Sequence, residues 1–431
     1  MPPSSISSRG APASTTATST DWPPRSITRH RLKEAMSLTI PSGPRTPKTR
    51  RNDSTMRFGL MWPNSPSPNV TSGVMAAGNP DVLQIDSHIA LAQTAEKIGV
   101  DFVFFADGYT NHGKHNARVG HGEPCISAPI WAPIVMAATE HIGVVTTMHA
   151  RYLSPVVLAR LGANLDVLSG GRWGWNIVPG SKGSEEALFG LDDPVDHDER
   201  YALVAETLAA VRTLWGARGE PIDFQGRYSH HQGVPRGPYP IQESPAIFNA
   251  GVSEAGKSFI AEHADYAFFA VTDDLDAVKQ TVDDLSARAE AAGRDPLSVS
   301  AAGSIGIVLG RTHEEAQEKY RAIVDSVDME AARGWARGFL GGSQTYQKTF
   351  GTDLDAAARK IGVAAGSTVL VGTAEEVAEQ LIDIHRSTGL RGYMLLTLNW
   401  NPEEVALIGD VFPHLQQAGV WTPPAERGWS W

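Results

Sequence analysis

Between Ser154 and Tyr201 the chain runs through an amphipathic helix, a glycine turn, an aromatic strand, an acidic loop and the start of a second helix. The turn is Ser169-Gly170-Gly171-Arg172, the strand Trp173-Gly174-Trp175-Asn176-Ile177-Val178, and the second helix opens at His197-Asp198-Glu199-Arg200-Tyr201. Helix, turn and strand joined so closely form the repeat unit of an α/β barrel, where a polar residue at a strand's carboxyl end projects into the mouth. In this unit that residue is Asn176.

The rest of the chain repeats the alternation. Strands are expected at Arg57–Trp62, Asp101–Ala106, Ile142–Met148, Trp173–Val178, Ala246–Ala250, Tyr266–Val271, Val299–Leu309 and Gly392–Leu398. Helices are expected between them: one with Ile85, Ile89, Ala92 and Ala95 on its inner face, one with Leu158, Leu161, Leu165 and Leu168, one from about Glu199 to Trp215, and others at Glu254–His263, 275–292 and 402–418. About eight strands alternating with helices imply a parallel sheet covered on both faces. No Gly-x-Gly-x-x-Gly turn follows the first strand, so a closed TIM (β/α)8 barrel is favoured over an open doubly wound sheet. The barrel is placed at 56–420, with insertions at about 108–124, 181–198, 222–234 and 328–370 and a tail at 421–431.

Composition narrows the function classes. A net charge of −11 argues against a general nucleic-acid binder, and no apolar run reaches membrane-spanning length. Residues 1–55 are the exception to the acidity, with nine basic and three acidic residues giving +6 and leaving −17 for the remainder. This Ser-, Thr-, Pro- and Arg-rich leader cannot pack a core. It reads as a disordered tail or an over-extended reading start, with an organelle transit peptide as the competing reading and a cytoplasmic protein as the expectation. The single cysteine, Cys125, excludes an internal disulfide framework. His112, His115, His121 and the pair His230-His231 sit in polar loops without metal-helix spacing, so no metal is expected.

Strand ends then give the candidate site: Asn64, Asp107, Thr147, Asn176 and Ser253. Amides, hydroxyls and one carboxylate without a paired nucleophile and base suit a cofactor that carries its own reactivity. Ser253 opens a helix directly after a strand and a glycine, which makes either an anion site or an ordinary N-cap. Arg200 and Tyr201 read as a phosphate clamp or as solvated surface, and His197 as a base or a hydrogen-bonding anchor.

With those residues in view, the chain resembles the bacterial-luciferase-like (group C) flavin monooxygenases from Met56 almost to the C-terminus. The residues that carry the likeness are the Ser-Gly-Gly-Arg turn, Asn176-Ile177-Val178, His197 to Tyr201 and Ala250-Gly251-Val252-Ser253. The branch it looks most like holds the pyrimidine, dimethylsulfone, dibenzothiophene-sulfone and nitrilotriacetate oxygenases. The resemblance implies an enzyme that takes reduced FMN from a separate NAD(P)H:flavin reductase, captures dioxygen and oxidises a small organic substrate through a flavin (hydro)peroxide or N5-oxide. It also implies a homo-oligomer, dimer or tetramer. By the same likeness Asp107 and Gly108 contact the flavin, Asn176 and Glu185 line its ring, Arg200, Tyr201 and Ser253 meet its phosphate, and Thr147 with Asn176 accommodates oxygen; Thr147, Asn176 and His197 are the catalytic candidates. Pro179 replaces the family's usual Thr, and Phe104-Phe105 crowd the second strand end. Trp173 and Trp175 add aromatic bulk that either walls a pocket for a planar or halogenated ring or fills the barrel. A deazaflavin (F420)-dependent oxidoreductase and a non-enzymatic flavin-binding protein are the alternatives on the same barrel.

Overall fold

The computed structural model describes residues 55–180, 184–191, 197–342 and 344–429. The leader therefore lies outside the described residues, apart from Thr55, as does part of the 181–198 loop. Eight parallel strands close on themselves: β1 (Arg57–Met61), β2 (Phe102–Phe105), β3 (Gly143–His149), β4 (Trp173–Val178), β5 (Ala246–Asn249), β6 (Tyr266–Ala270), β7 (Ser300–Leu309) and β8 (Gly392–Thr397). The order around the barrel is β7-β8-β1-β2-β3-β4-β5-β6, with β6 returning to β7 through Tyr266↔Ser300 to Ala270↔Ser304. On the outside lie α1 (Ile85–Ile98), α2 (Ala128–Ala138), α3 (Pro155–Leu168), α4 (His197–Gly216), α5 (Glu254–His263) and α6 (Leu275–Ala291). The fold is the TIM barrel expected from the alternation.

Alternation along each strand decides what faces inward. Phe102, Phe104, Val145, Phe248, Tyr266, Ala302 and Met394 form one cluster that fills the lumen. Phe248 stacks on Tyr266 at 4.3 Å and Phe104 on Phe268 at 5.6 Å. A Cβ on Gly59 would lie 2.4 Å from the Phe102 ring, so β1 has a glycine where β2 contributes its bulk. The lower barrel is thus solid, and chemistry is confined to the layer above it.

The same alternation overturns the aromatic-pocket reading of two tryptophans. Trp173 and Trp175 point away from the lumen, being one residue out of phase with Asn176, and both are fully buried. Trp173 donates to Thr146 Oγ1 at 2.9 Å and meets Trp215 edge-on, while a Cβ on Gly162 of α3 would come within 2.5 Å of its ring. They fill the space between barrel and helices. The α3 face that packs on them is made of Leu158, Ala159, Gly162, Ala163, Leu165 and Asp166, so Leu158 and Leu165 of the expected leucine stripe face inward while Leu168 is 64 % exposed. Likewise α1 buries His88, Leu91, Ala92 and Ala95 and leaves Ile85 52 % exposed.

Other differences have local causes. At ten residues β7 outruns β6, and its upper edge at Gly306–Leu309 is taken by a ninth strand, Val369–Gly372, at the end of the expected 328–370 insertion, where no strand is expected. The expected helix 402–418 is broken into Pro402–Ala406, a 3-10 turn and Phe412–Gln417, with Pro413 in the first turn of the last piece because it has no N–H to continue a helix. Residues 222–234 do form a hairpin, Ile222–Gln225 against His230–Gly233. In the Ser-Gly-Gly-Arg turn, Gly170 and Gly171 have φ of 66° and 83°, and the buried Arg172 guanidinium donates to oxygens of Met136, Thr139, Ile142 and Ser169. The turn therefore braces the barrel floor, opposite the mouth.

Residues 328–361 form three helices, Met329–Gly342, Gln344–Phe350 and Leu354–Ile361, docked on the loops after β1 and β2. Asn116 donates to Ala331 O at 2.9 Å, and Gly334 allows the close approach, since a Cβ there would meet Asn116 Oδ1 at 2.4 Å. His121 lies under Trp335 at 4.2 Å and beside His112 at 5.6 Å. Burial pushes the His121 imidazole down to about 4 and lowers that of His112 as well. Both are neutral in the fold and take up protons when unfolded, so the unfolded state binds more protons below the ordinary histidine value. Stability is full above about pH 6.5 and falls as the pH drops towards 4, by about 2 kcal/mol for His121 between pH 7 and 5. Thermal unfolding should show a lower Tm at pH 5 than at pH 7 in the native chain and a smaller drop in His121→Asn; equal drops would show that His121 contributes nothing to the pH dependence.

Candidate active site

The mouth is built on four consecutive strands. Thr147 and Asn176 are register partners on β3 and β4, both turned inward, and Asn176 Nδ2 donates to Thr147 Oγ1 at 2.9 Å. This bond fixes the amide so that Asn176 Oδ1, buried and without a hydrogen-bond partner among the described residues, is presented to the lumen. A buried acceptor left unpaired costs about 1–3 kcal/mol, which marks the position as one a ligand donor would complete.

One strand further on, β5 ends in the turn Ala250-Gly251-Val252-Ser253. Asn249 holds that turn to β4, donating to Ile177 O at 2.7 Å while its Oδ1 accepts from Gly251 N at 2.8 Å. Gly251 and Gly256 press together so closely that a Cβ on Gly251 would lie 2.7 Å from Gly256 Cα and 2.5 Å from Tyr201 Oη. Ser253 is the N-cap of α5, its Oγ accepting from Gly256 N at 3.1 Å, which leaves the hydroxyl proton for another acceptor. Tyr201 is thereby placed against the first turn of α5. Its neighbour Arg200, 6 % exposed, has a buried Nε with no partner among the described residues. A buried guanidinium without its anion, a helix N-terminus and a serine hydroxyl are the donors that a phosphate group takes.

The opposite flank is acidic and aromatic. Asp107 Oδ2 accepts from Ala128 N at 2.8 Å and from Ser127 Oγ at 3.3 Å, and its Oδ1 accepts from Gly108 N at 2.8 Å. The carboxylate thus caps α2 as well as facing the mouth, and burial raises its pKa despite those bonds. Glu185, nearly inaccessible to solvent, accepts from Tyr109 N at 2.8 Å and from Tyr152 Oη at 3.2 Å and lies 3.9 Å from His149 Nε2. Gly108 is beside it, and a Cβ on that glycine would lie 3.7 Å from Glu185 Oε1. Arg151 pairs with Glu186 just behind. Asn64 donates to Ala106 O at 3.1 Å and tethers the β1 loop to the end of β2.

The sequence-expected residues therefore separate into two groups on either side of Thr147 and Asn176: Asp107, Gly108 and Glu185 on one flank, Arg200, Tyr201 and Ser253 on the other. His197 begins α4, and its side chain lies outside the described residues. Sequence reasoning misses His149, Tyr109 and Tyr152. His149 is within its reach, being two residues beyond Thr147 on the same strand and so on the same face. Among the described residues no cluster of His, Cys, Asp and Glu is arranged to hold a metal, and no helix is long and apolar enough to cross a membrane.

Comparison with known proteins places this arrangement. The sequence model of the luciferase-like monooxygenases matches residues 56–391. Dibenzothiophene-sulfone monooxygenase of Rhodococcus erythropolis is 31% identical over 269 residues, 56% of this chain and 58% of that protein. Nitrilotriacetate monooxygenase component A of Aminobacter aminovorans is 30% identical over 272 residues, 56% of this chain and 60% of that protein. Each match thus spans less than two thirds of the relative's length. The crystal structure of a riboflavin lyase with modified FMN and riboflavin superposes with a TM-score of 0.79 at 27% identity, covering 86% of this chain and 93% of that one.

Proposed function

The chain belongs to the luciferase-like monooxygenase family, and from that premise we propose that it is an FMNH2- and dioxygen-dependent monooxygenase, the oxygenating half of a two-component system. The observation that carries the proposal is the pair of unsatisfied buried groups flanked by the right chemistry: Arg200 Nε beside the Ser253 helix N-terminus, and Asn176 Oδ1 beside Thr147. Arg200, Tyr201 and Ser253 would hold the phosphate of reduced FMN, and Asn176 Oδ1 would accept from its ring. Reduced FMN, when bound, supplies the two electrons that activate dioxygen. Asn176 and Thr147 orient the ring and the incoming oxygen, the aromatic floor below keeps water out of the lumen, and Asp107, Gly108 and Glu185 would line the ring from the other flank.

A relative named as component A supports a partner that makes the reduced flavin, here a separate NAD(P)H:flavin reductase. The isolated chain should leave NADH unoxidised. Adding an unrelated flavin reductase with FMN should produce oxygen consumption, and a panel of dibenzothiophene sulfone, nitrilotriacetate and riboflavin, each drawn from a relative's name, should show which ring or heteroatom class is oxygenated. Robust NADH oxidation by the chain alone would end the two-component reading.

The outer face of α2 and α3 supports self-association. α2 carries no charged side chain, and the side-by-side helices expose Ile130 (69 %), Val156, Val157 and Leu168. Exposed large apolar side chains gathered on two neighbouring helices are often covered by a partner. The double substitution Ile130→Asp with Leu168→Asp should turn an oligomer into a monomer by light scattering; a native chain already monomeric would refute the interface.

A further inference from the structure

Among the described residues, His149 is the histidine at the mouth for which neither the fold nor the proposed phosphate and ring contacts give a use. It ends β3, and strand alternation turns it to the same side as Thr147, about 7 Å along the strand. It is 4 % exposed, flanked by the Tyr109 ring at 5.0 Å and the Tyr152 ring at 5.4 Å, with Glu185 Oε1 3.9 Å from Nε2. A buried imidazole beside a buried carboxylate, above the residues that orient the oxygen, is not explained by packing, because apolar side chains would fill the same volume without the desolvation cost.

Resting on the monooxygenase reading above, we propose that His149 is the proton-transfer residue of this mouth, with Glu185 as the positioning residue that stabilises its protonated form. The overall conversion, FMNH2 + O2 + substrate to FMN + oxygenated substrate + H2O, moves the two hydrogens of the reduced cofactor to the oxygen atom released as water. Without substrate the same two hydrogens end on H2O2. In either case neutral His149 accepts a proton leaving the ring and delivers it to the reduced oxygen, and returns to its starting state. Burial lowers the His149 pKa, so it rests neutral and ready to accept. The groups facing it are Tyr109 from the loop after β2, Tyr152 from the loop after β3 and Glu185 from the loop after β4, with Asp107 beyond Glu185 and the Arg151–Glu186 pair behind Tyr152. Of these only Glu185 approaches the imidazole with a carboxylate, and it favours the imidazolium.

Two measurements test this on the full chain. In the ligand-free protein, histidine NMR titration should place the His149 pKa below the ordinary histidine value and lower it further in Glu185→Gln; a His149 pKa unmoved by that change would overturn the pairing. In anaerobic mixing of the complex with reduced FMN against dioxygen, His149→Gln should bind reduced FMN within about twofold of wild type. Its reoxidation should be slower by about 10²-fold, the lower end of what a positioned acid–base group contributes, with the pH inflection lost. Wild-type rate and pH profile in His149→Gln, with His149→Asn agreeing, would refute the role of His149 alone. Failure of the wild-type chain to bind reduced FMN would instead overturn the monooxygenase reading, and this role with it.

Discussion

Replacing Asn176 by alanine is expected to leave reduced FMN bound but to cut productive oxygenation about 10²–10³-fold, with hydrogen peroxide appearing in place of product. Asn176 is held by Thr147, not by the cofactor, so its orientation is fixed before anything binds. That preorganisation is what makes a polar group worth several kcal/mol where charge develops in a water-excluded site. Flavin affinity should fall far less than the rate, because only one proposed ring hydrogen bond is lost while the proposed phosphate contacts, Ser253 after β5 and Arg200 and Tyr201 on α4, are kept. The measurement is peroxide released per reduced FMN oxidised, with whichever compound of the panel is turned over. Wild-type product yield in the mutant would make Asn176 a structural residue and remove the oxygen site from this position.

The second large effect is on affinity. Arg200→Ala should weaken reduced FMN by about 10- to 100-fold while leaving reduced riboflavin, which has no phosphate, almost unchanged, since a charge-assisted hydrogen bond contributes about 1.5–3 kcal/mol. Ser253→Ala should give a smaller loss in the same direction, because Ser253 Oγ also caps α5 through Gly256 N and part of its effect is on the helix. Anaerobic fluorescence titration with both flavins separates the cases. Equal losses for FMN and riboflavin would mean that Arg200 packs the barrel and does not meet phosphate.

Much of this architecture is legible in the sequence because the signals are local. The β4 strand Trp173–Val178 and the helix Glu254–His263 fall where alternation, the Gly170-Gly171 turn and the Ser253 cap put them. Burial is less legible. The inner face of α3 combines Leu158 and Leu165 with Ala159, Gly162 and Ala163, Gly162 making room for the Trp173 ring, while Leu168 is exposed, so leucine spacing alone does not mark the buried side. The same transfer of bulk from helix to strand hides the true role of Trp173 and Trp175. Val369–Gly372 escapes detection because its four residues gain their place from the overlength of β7, a tertiary cause. At the mouth, Asn176, Thr147 and Ser253 follow from strand ends alone. His149 also follows once Thr147 is placed facing the mouth, being two residues on and so on the same face of β3, but its Glu185 partner comes from the loop after β4 and carries no such signal. The docking of residues 328–361 on the β1 and β2 loops depends on Gly334 and Asn116, which are far apart in sequence.

Whether this mouth is built for reduced FMN is the central question. Anaerobic titration of the wild-type chain with reduced FMN, reduced riboflavin and reduced F420, followed by mixing with air-saturated buffer, tests that directly. The expected result is that reduced FMN binds at least about tenfold tighter than reduced riboflavin, as one phosphate contact implies, and tighter than F420, and that the bound flavin reacts with dioxygen. Preference for F420 with no oxygen reactivity would make the chain a hydride-transfer oxidoreductase, and binding of reduced FMN inert to both oxygen and substrate would make it a flavin carrier; either result contradicts a monooxygenase.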